Sequence, residues 1–175
     1  MVDLGDISNA LSKICRFAGH TKQFYSVAQH SMHVAELVEH LGGTTEEILQ
    51  ALLHDAPEAY VVDVPTPLKR LLGAAYEETE RKVWNAISEL FEVSSEISEL
   101  VHYADKLMLN VEAEQLLNEP EYGDPWWTPR SKLVDVPEDI VITGKTSDHA
   151  NIASQYAFLL GSYYSKLLQE RLRGQ

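Results

Sequence analysis

Apolar side chains recur every three or four residues along most of this chain, the pattern of helices that each bury one face. Val27, His30, Val34, Leu37 and Leu41 share one face of a helix expected over roughly 26 to 41, which should stop at Gly42 and Gly43. The next helix opens on a capping box, Thr44 with Glu47 three residues on, and its stripe is Ile48, Leu49, Leu52, Leu53 and Ala56. Its last turn holds His54 and Asp55. Pro57 then removes an amide donor and pushes Ala56 away from α geometry, so this helix should end or kink there.

Beyond it, "DVPTP" reads as a turn, and two helices are expected at about 74 to 92 and 95 to 118. The second carries Leu100, Ala104, Leu107, Met108 and Val111 on one side, with Asp105 among them. Residues 118 to 149 contain four prolines and two glycines and read as a long irregular connection, a lid or insertion at about 118 to 147. A closing amphipathic helix from Ser147 or Asp148 would bury Ile152, Tyr156, Leu159, Leu160 and Tyr163. With no β-alternation and no internal repeat, the pattern predicts an all-α fold, a single-domain helical bundle.

Composition narrows the function. A length of 175 residues suits one domain with one sizeable core. The net charge of −13, from 27 acids against 14 bases, repels a nucleic-acid backbone or an anionic membrane. An anionic ligand would need a metal ion or a local cluster of bases. The one cysteine, Cys15, is expected to pack rather than pair, and "MVDLGDISNA" lacks the basic start and apolar core of a signal peptide, which together predict a cytoplasmic protein. No run of about 18 apolar residues is present, so no membrane span is expected.

Against this background the polar residues on apolar faces stand out. Imidazole and carboxylate suit borderline and hard divalent metals. His54 and Asp55 project about 100° apart on a helix, so they can share one ion only along a flank, and other helices must supply the remaining ligands. His30 and Asp105, each a lone polar group on an apolar face, are the best candidates.

The order His30, His54-Asp55, Asp105 resembles the signature H…HD…D of the HD-domain metal phosphohydrolases, over most of the chain. "ICRFAGHTKQFYSVAQHS" and "ALLHDAPEAYVVDVPTPLK" are similar to the small bacterial and phage members related to 5'-deoxynucleotidases, in which Arg, His-Ser, HDxxE and DxPTPxK occur together. The resemblance implies that His30, His54, Asp55 and Asp105 bind one divalent cation, Zn, Co, Mn or Mg. Such an ion lowers the pKa of bound water from 15.7 towards about 7 and offsets phosphoryl charge. It further implies Glu58 as general acid or base, Asp63 as a residue orienting water or a substrate hydroxyl, and Arg16 and Lys69 as phosphate donors. His20, inside the similar stretch, would line the site. Phe17 stands where related deoxynucleotidases carry a tryptophan near the sugar, a departure that puts 2'-deoxy selectivity in question.

The implied activity is hydrolysis of a nucleoside mono- or triphosphate, dATP among the plausible substrates, by a cytoplasmic enzyme expected to self-associate as a homo-oligomer. The rival from another class is a metal-binding module without turnover, a sensor or scaffold, and intact Glu58 speaks against it. A two-metal cyclic-dinucleotide enzyme would need more histidines than His102 between Asp55 and Asp105, and Ala59 departs from the HDxxED of guanosine tetraphosphate hydrolases. His30 and His33 form an H-x-x-H pair, but His33 should point off the apolar face. "TGKTS" lacks the glycine of a phosphate loop, since position 139 is Asp139, and Ser147 serves better as a helix cap. Trp126 and Trp127 could stack on a base or pin the long loop.

Overall fold

The residues that can cap a helix decide where the helices begin. In a computed structural model, which describes residues 2–117, 142 and 147–174, Asp3 accepts from the Gly5 and Asp6 amides and starts α1 (Leu4–Leu11). A short 3-10 turn, Arg16–Gly19, follows. Helix α2 (Val27–His40) and helix α3 (Thr45–Leu53) both open on capping boxes, Ser26 with Gln29 and Thr44 with Glu47, so two amide donors at each start are satisfied reciprocally. Between them Gly42 adopts φ +80°. A Cβ on Gly43 would stand 2.5 Å from Val38 Cγ1, so only glycine lets the chain turn this tightly.

After α3 come α4 (Glu58–Val61), α5 (Thr66–Leu72), α6 (Ala74–Leu90), α7 (Glu99–Leu116) and α8 (His149–Arg173). The described residues contain no strand, only an isolated bridge between Cys15 and Ser26. The fold is all-α. Helices α2, α3, α7 and α8 pack around one core, with α1 closing it against α8. Leu37, Leu49, Leu52, Leu53, Met108, Leu116, Ile152 and Tyr156 are fully buried there. Tyr156 donates its hydroxyl to the Leu52 carbonyl at 2.6 Å, which ties α8 to the end of α3.

The sequence pattern located α2, α3, α6, α7 and α8, but several boundaries move. Helix α3 ends at Leu53, so His54 is its C-cap and Asp55 lies in the following turn rather than inside the helix. Asp148, not Ser147, caps α8, accepting from the Ala150 and Asn151 amides. The "DVPTP" turn runs directly into α5, because Pro67 occupies the first turn of a helix, where its missing amide costs nothing. Leu159 and Tyr163 only border the core.

The expected lid at 118 to 147, with Trp126, Trp127 and most of "TGKTS", lies outside the described residues except for Ile142 and Ser147. Ile142 is buried in the core, and its amide donates to Gln115 Oε1 on α7 at 2.9 Å. Cys15 is half-buried and forms no disulfide. No helix among the described residues is long and apolar enough to cross a membrane.

Candidate metal centre

Three helices bring His30, His54, Asp55 and Asp105 together at one point. His30, on the buried face of α2, is fully enclosed, and its Nε2 lies 3.2 Å from His54 Nε2 and 3.1 Å from Asp105 Oδ1. His54 Nε2 is 3.8 Å from the same Asp105 oxygen. One ligand atom from each of His30, His54 and Asp105 falls within 4.8 Å of the others, a grouping that could hold a metal ion. Asp55 Oδ2 is 3.5 Å from His30 Nε2 and 3.4 Å from His54 Nε2. It also accepts from Arg16 Nη1 at 3.3 Å. Asp105, expected on a buried face, keeps 41% of its side chain exposed and marks the side from which the cluster is reached.

Hydrogen bonds on the far side of each ring settle what these atoms are. His54 Nδ1 meets the Ala51 carbonyl at 2.7 Å, and a carbonyl only accepts, so Nδ1 carries the proton. His30 Nδ1 meets the Glu112 carboxylate at 2.5 Å with the same consequence. Each Nε2 therefore faces the other ring and two carboxylate oxygens. So many acceptors in one place favour a positive centre: without a metal it is a proton on His30, and a divalent cation could take that role, since imidazole and carboxylate are donors it accepts. The residues fit the ion.

Titration reflects the same demand. Burial and the Arg16 charge oppose protonation of His30, but Glu112 and Asp105 outweigh them and raise its pKa to about 10. Burial works against ionised Asp105 too, yet His30 and His54 hold its carboxyl well below the usual range.

The turn after α3 decides whether Glu58 joins this group. Ala56, Glu58 and Ala59 donate to the carbonyls three residues before each of them, so the chain stays coiled through Pro57 and carries Glu58 inward. Its carboxyl is buried, and among the described residues Oε2 has no hydrogen-bond partner. Burial first, then the charges of Asp55 and Asp63, push its pKa up to about 9. Asp63 is shifted upward as well, chiefly by burial. It follows Val62, whose φ of 62° and ψ of 158° is strained for a β-branched side chain.

Both expected phosphate donors are already held by carboxylates. Arg16 is largely buried, with Nη2 3.0 Å from Glu112 Oε2. Lys69 Nζ lies 2.9 Å from Glu80 and 3.8 Å from Glu58. Phe17 sits under the Arg16 guanidinium, 5.5 Å from Cζ to ring centre, in a left-handed turn it shares with Ala18 and Gly19. His20 is exposed beyond that turn, and its ring makes no hydrogen bond or ion pair with any described residue. His33 is stacked on Tyr25, with Nδ1 2.9 Å from the phenol oxygen.

Two residues escaped the sequence reading. Glu112 is fully buried and receives His30, Arg16 and the Tyr25 hydroxyl, the last at 2.9 Å. Its ionised form is favoured down to a pKa of about 2, because Arg16, His30 and these hydrogen bonds overcome burial. The available signal was its position seven residues after Asp105, two turns along the same face, between Val111 and Ala113. Tyr25 carried no such mark, being one aromatic among many.

No family model matches the chain. It is 45% identical over 113 residues to the uncharacterized protein YfdR of Escherichia coli, a match covering 65% of this chain and 60% of YfdR. The chain thus spans about 60% of that relative's length. It is also 29% identical over 151 residues to the uncharacterized protein RCAP_rcc00048 of Rhodobacter capsulatus, covering 82% of this chain and 74% of that protein.

Proposed function

We propose that this chain is a metal-dependent phosphohydrolase that removes phosphate or polyphosphate from a small nucleotide, a deoxynucleotide in the first instance. One observation carries the reading: two imidazole nitrogens and two carboxylate oxygens from α2, α7 and the end of α3 converge beside a largely buried arginine and a buried, proton-holding glutamate. A divalent cation held by His30, His54, Asp55 and Asp105 would supply a Lewis acid for the phosphoryl oxygens and an acidified water.

The chain's own residues do the rest. Glu58, with its pKa near 9, holds a proton at neutral pH and is suited to deliver it to the departing oxygen, a contribution of about 10²–10⁴ in rate. Lys69, 3.8 Å from Glu58, orients that carboxyl and meets the anion when Glu80 releases it. Arg16 presents its fork to the phosphate while Glu112 anchors its other edge.

The test is a screen of each deoxynucleoside mono- and triphosphate with Mn²⁺, Co²⁺ or Zn²⁺, following phosphate, pyrophosphate and triphosphate. Release of any of these supports the reading, and the product gives the length of the chain removed. No turnover with any of them, from protein that binds the metal, sinks it. A second reading, a metal-binding module without turnover, is favoured by the engagement of both Arg16 and Lys69 with carboxylates, and that last outcome would select it.

A further inference from the structure

Arg16 and His30 belong to different parts of the chain and would have different tasks, yet both lean on the same side chain. Glu112 offers two oxygens at the bottom of the cluster. Oε1 takes His30 Nδ1 and the Tyr25 hydroxyl, and Oε2 takes Arg16 Nε at 3.1 Å and Nη2 at 3.0 Å. Every acceptor position aimed at a neighbour is used, and the carboxylate is sealed from solvent. A full negative charge is costly to bury unless its partners repay it, and here the donors of Arg16, His30 and Tyr25 do so.

Resting on the metal reading above, we propose that Glu112 is the positioning residue that fixes the metal ligand His30 and the anion-binding Arg16 against one another. One oxygen sets the tautomer and aim of His30, so that Nε2 faces the other ligands. The other oxygen locks the rear edge of the guanidinium, so that Nη1 is directed to the cluster side, where it meets Asp55. Cation affinity and phosphate affinity then share a single support, and weakening it should weaken both. A merely structural carboxylate would alter stability and leave both affinities in place.

The experiment uses the full chain as wild type, Glu112→Gln, Glu112→Asp and Tyr25→Phe. Co²⁺ alone is titrated by its visible absorption, and inorganic phosphate is then titrated into protein saturated with Co²⁺. Glu112→Gln should weaken Co²⁺ binding by about 10–100-fold, the usual effect of losing such a support, and should weaken phosphate binding as well. Glu112→Asp keeps the charge but is too short to reach both partners, so it should behave in the same way and serves if Glu112→Gln fails to fold. Tyr25→Phe removes one donor and neither of the two supports, so its effect should stay within about threefold.

Unchanged affinities in both Glu112 variants, or losses no larger than those of Tyr25→Phe, overturn the proposal. Wild-type protein that takes no Co²⁺ refutes the metal reading instead. In that event the imidazole N–H proton resonances of metal-free protein decide the positioning role: a downfield signal from His30 present in wild type and lost in Glu112→Gln supports it, and a signal that persists refutes it.

Discussion

Two buried carboxylic acids in this chain behave in opposite ways, and the difference lies in their neighbours. Glu112 is charged because Arg16 and His30 overcome its burial, whereas Glu58 is proton-bearing because burial, reinforced by Asp55 and Asp63, outweighs Lys69 and Arg16. Folded Glu58 keeps its proton up to about pH 9, while the unfolded chain releases it near 4.5, so the unfolded state binds fewer protons throughout that window. Stability of metal-free protein should therefore fall as pH rises from about 4.5 towards 9. Glu58→Gln should remove much of this slope and gain on the order of 1 kcal/mol or more at pH 8, read from urea unfolding at several pH values. The same variant should still bind the cation and lose about 10²–10⁴ in turnover. Asp105→Ala should lose the cation altogether, measured by elemental analysis after dialysis; full occupancy would show that the ligand set is wrong. His54 and Asp55 could be marked in the sequence as an adjacent His-Asp pair at the end of an apolar helix, and His30 and Asp105 as polar groups on apolar faces. Glu112 is marked in the same way, but its partners Arg16 and Tyr25 are 96 and 87 residues away, a pairing that periodicity does not encode.

Helices were legible to the extent that their caps and stripes were local. Thr44 and Glu47 announce α3 in four residues, and Thr44→Ala should cost about 1 kcal/mol, observable as a lower urea midpoint with unchanged slope. Helix α1 was not anticipated, since its eight residues present only Ile7, Ser8 and Leu11 to the core. Helix α5 was hidden by its prolines and has no buried face to betray it, Leu71 being 85% exposed. The turn after α3 was half-readable: Pro57 does end regular α geometry, but coiling continues through bonds that reach three residues back. The left-handed turn at Phe17 and Ala18 leaves no sequence signal, because neither residue prefers it. Ala18, with φ 50°, is the simpler to probe. Ala18→Gly should stabilise the protein by about 0.5–1 kcal/mol, and a thermal melt that moves downward instead would show that the turn is held open by something other than local strain.

At the scale of the molecule, charge sets the conditions of work. A net charge of −13 surrounds a site that would receive an anion, so long-range forces oppose approach even though Arg16 and Lys69 attract at short range. Salt should then help: kcat/KM for a nucleotide should rise, or at least hold, as ionic strength goes from about 10 mM to 150 mM, over which the screening length shortens to about 8 Å. A steep fall would mean that local positive potential dominates encounter. The ion pair between Arg16 and Glu112 also has a temporal side. It spans 96 residues, so during synthesis His30, His54 and Asp55 leave the ribosome well before Asp105 and Glu112 exist. Until α7 is made and docked, the two histidines and Arg16 have only Asp55 as a counter-charge, without Asp105 and Glu112. The centre consequently cannot be completed before α7 docks, and a nascent chain truncated before Asp105 should not hold a cation there.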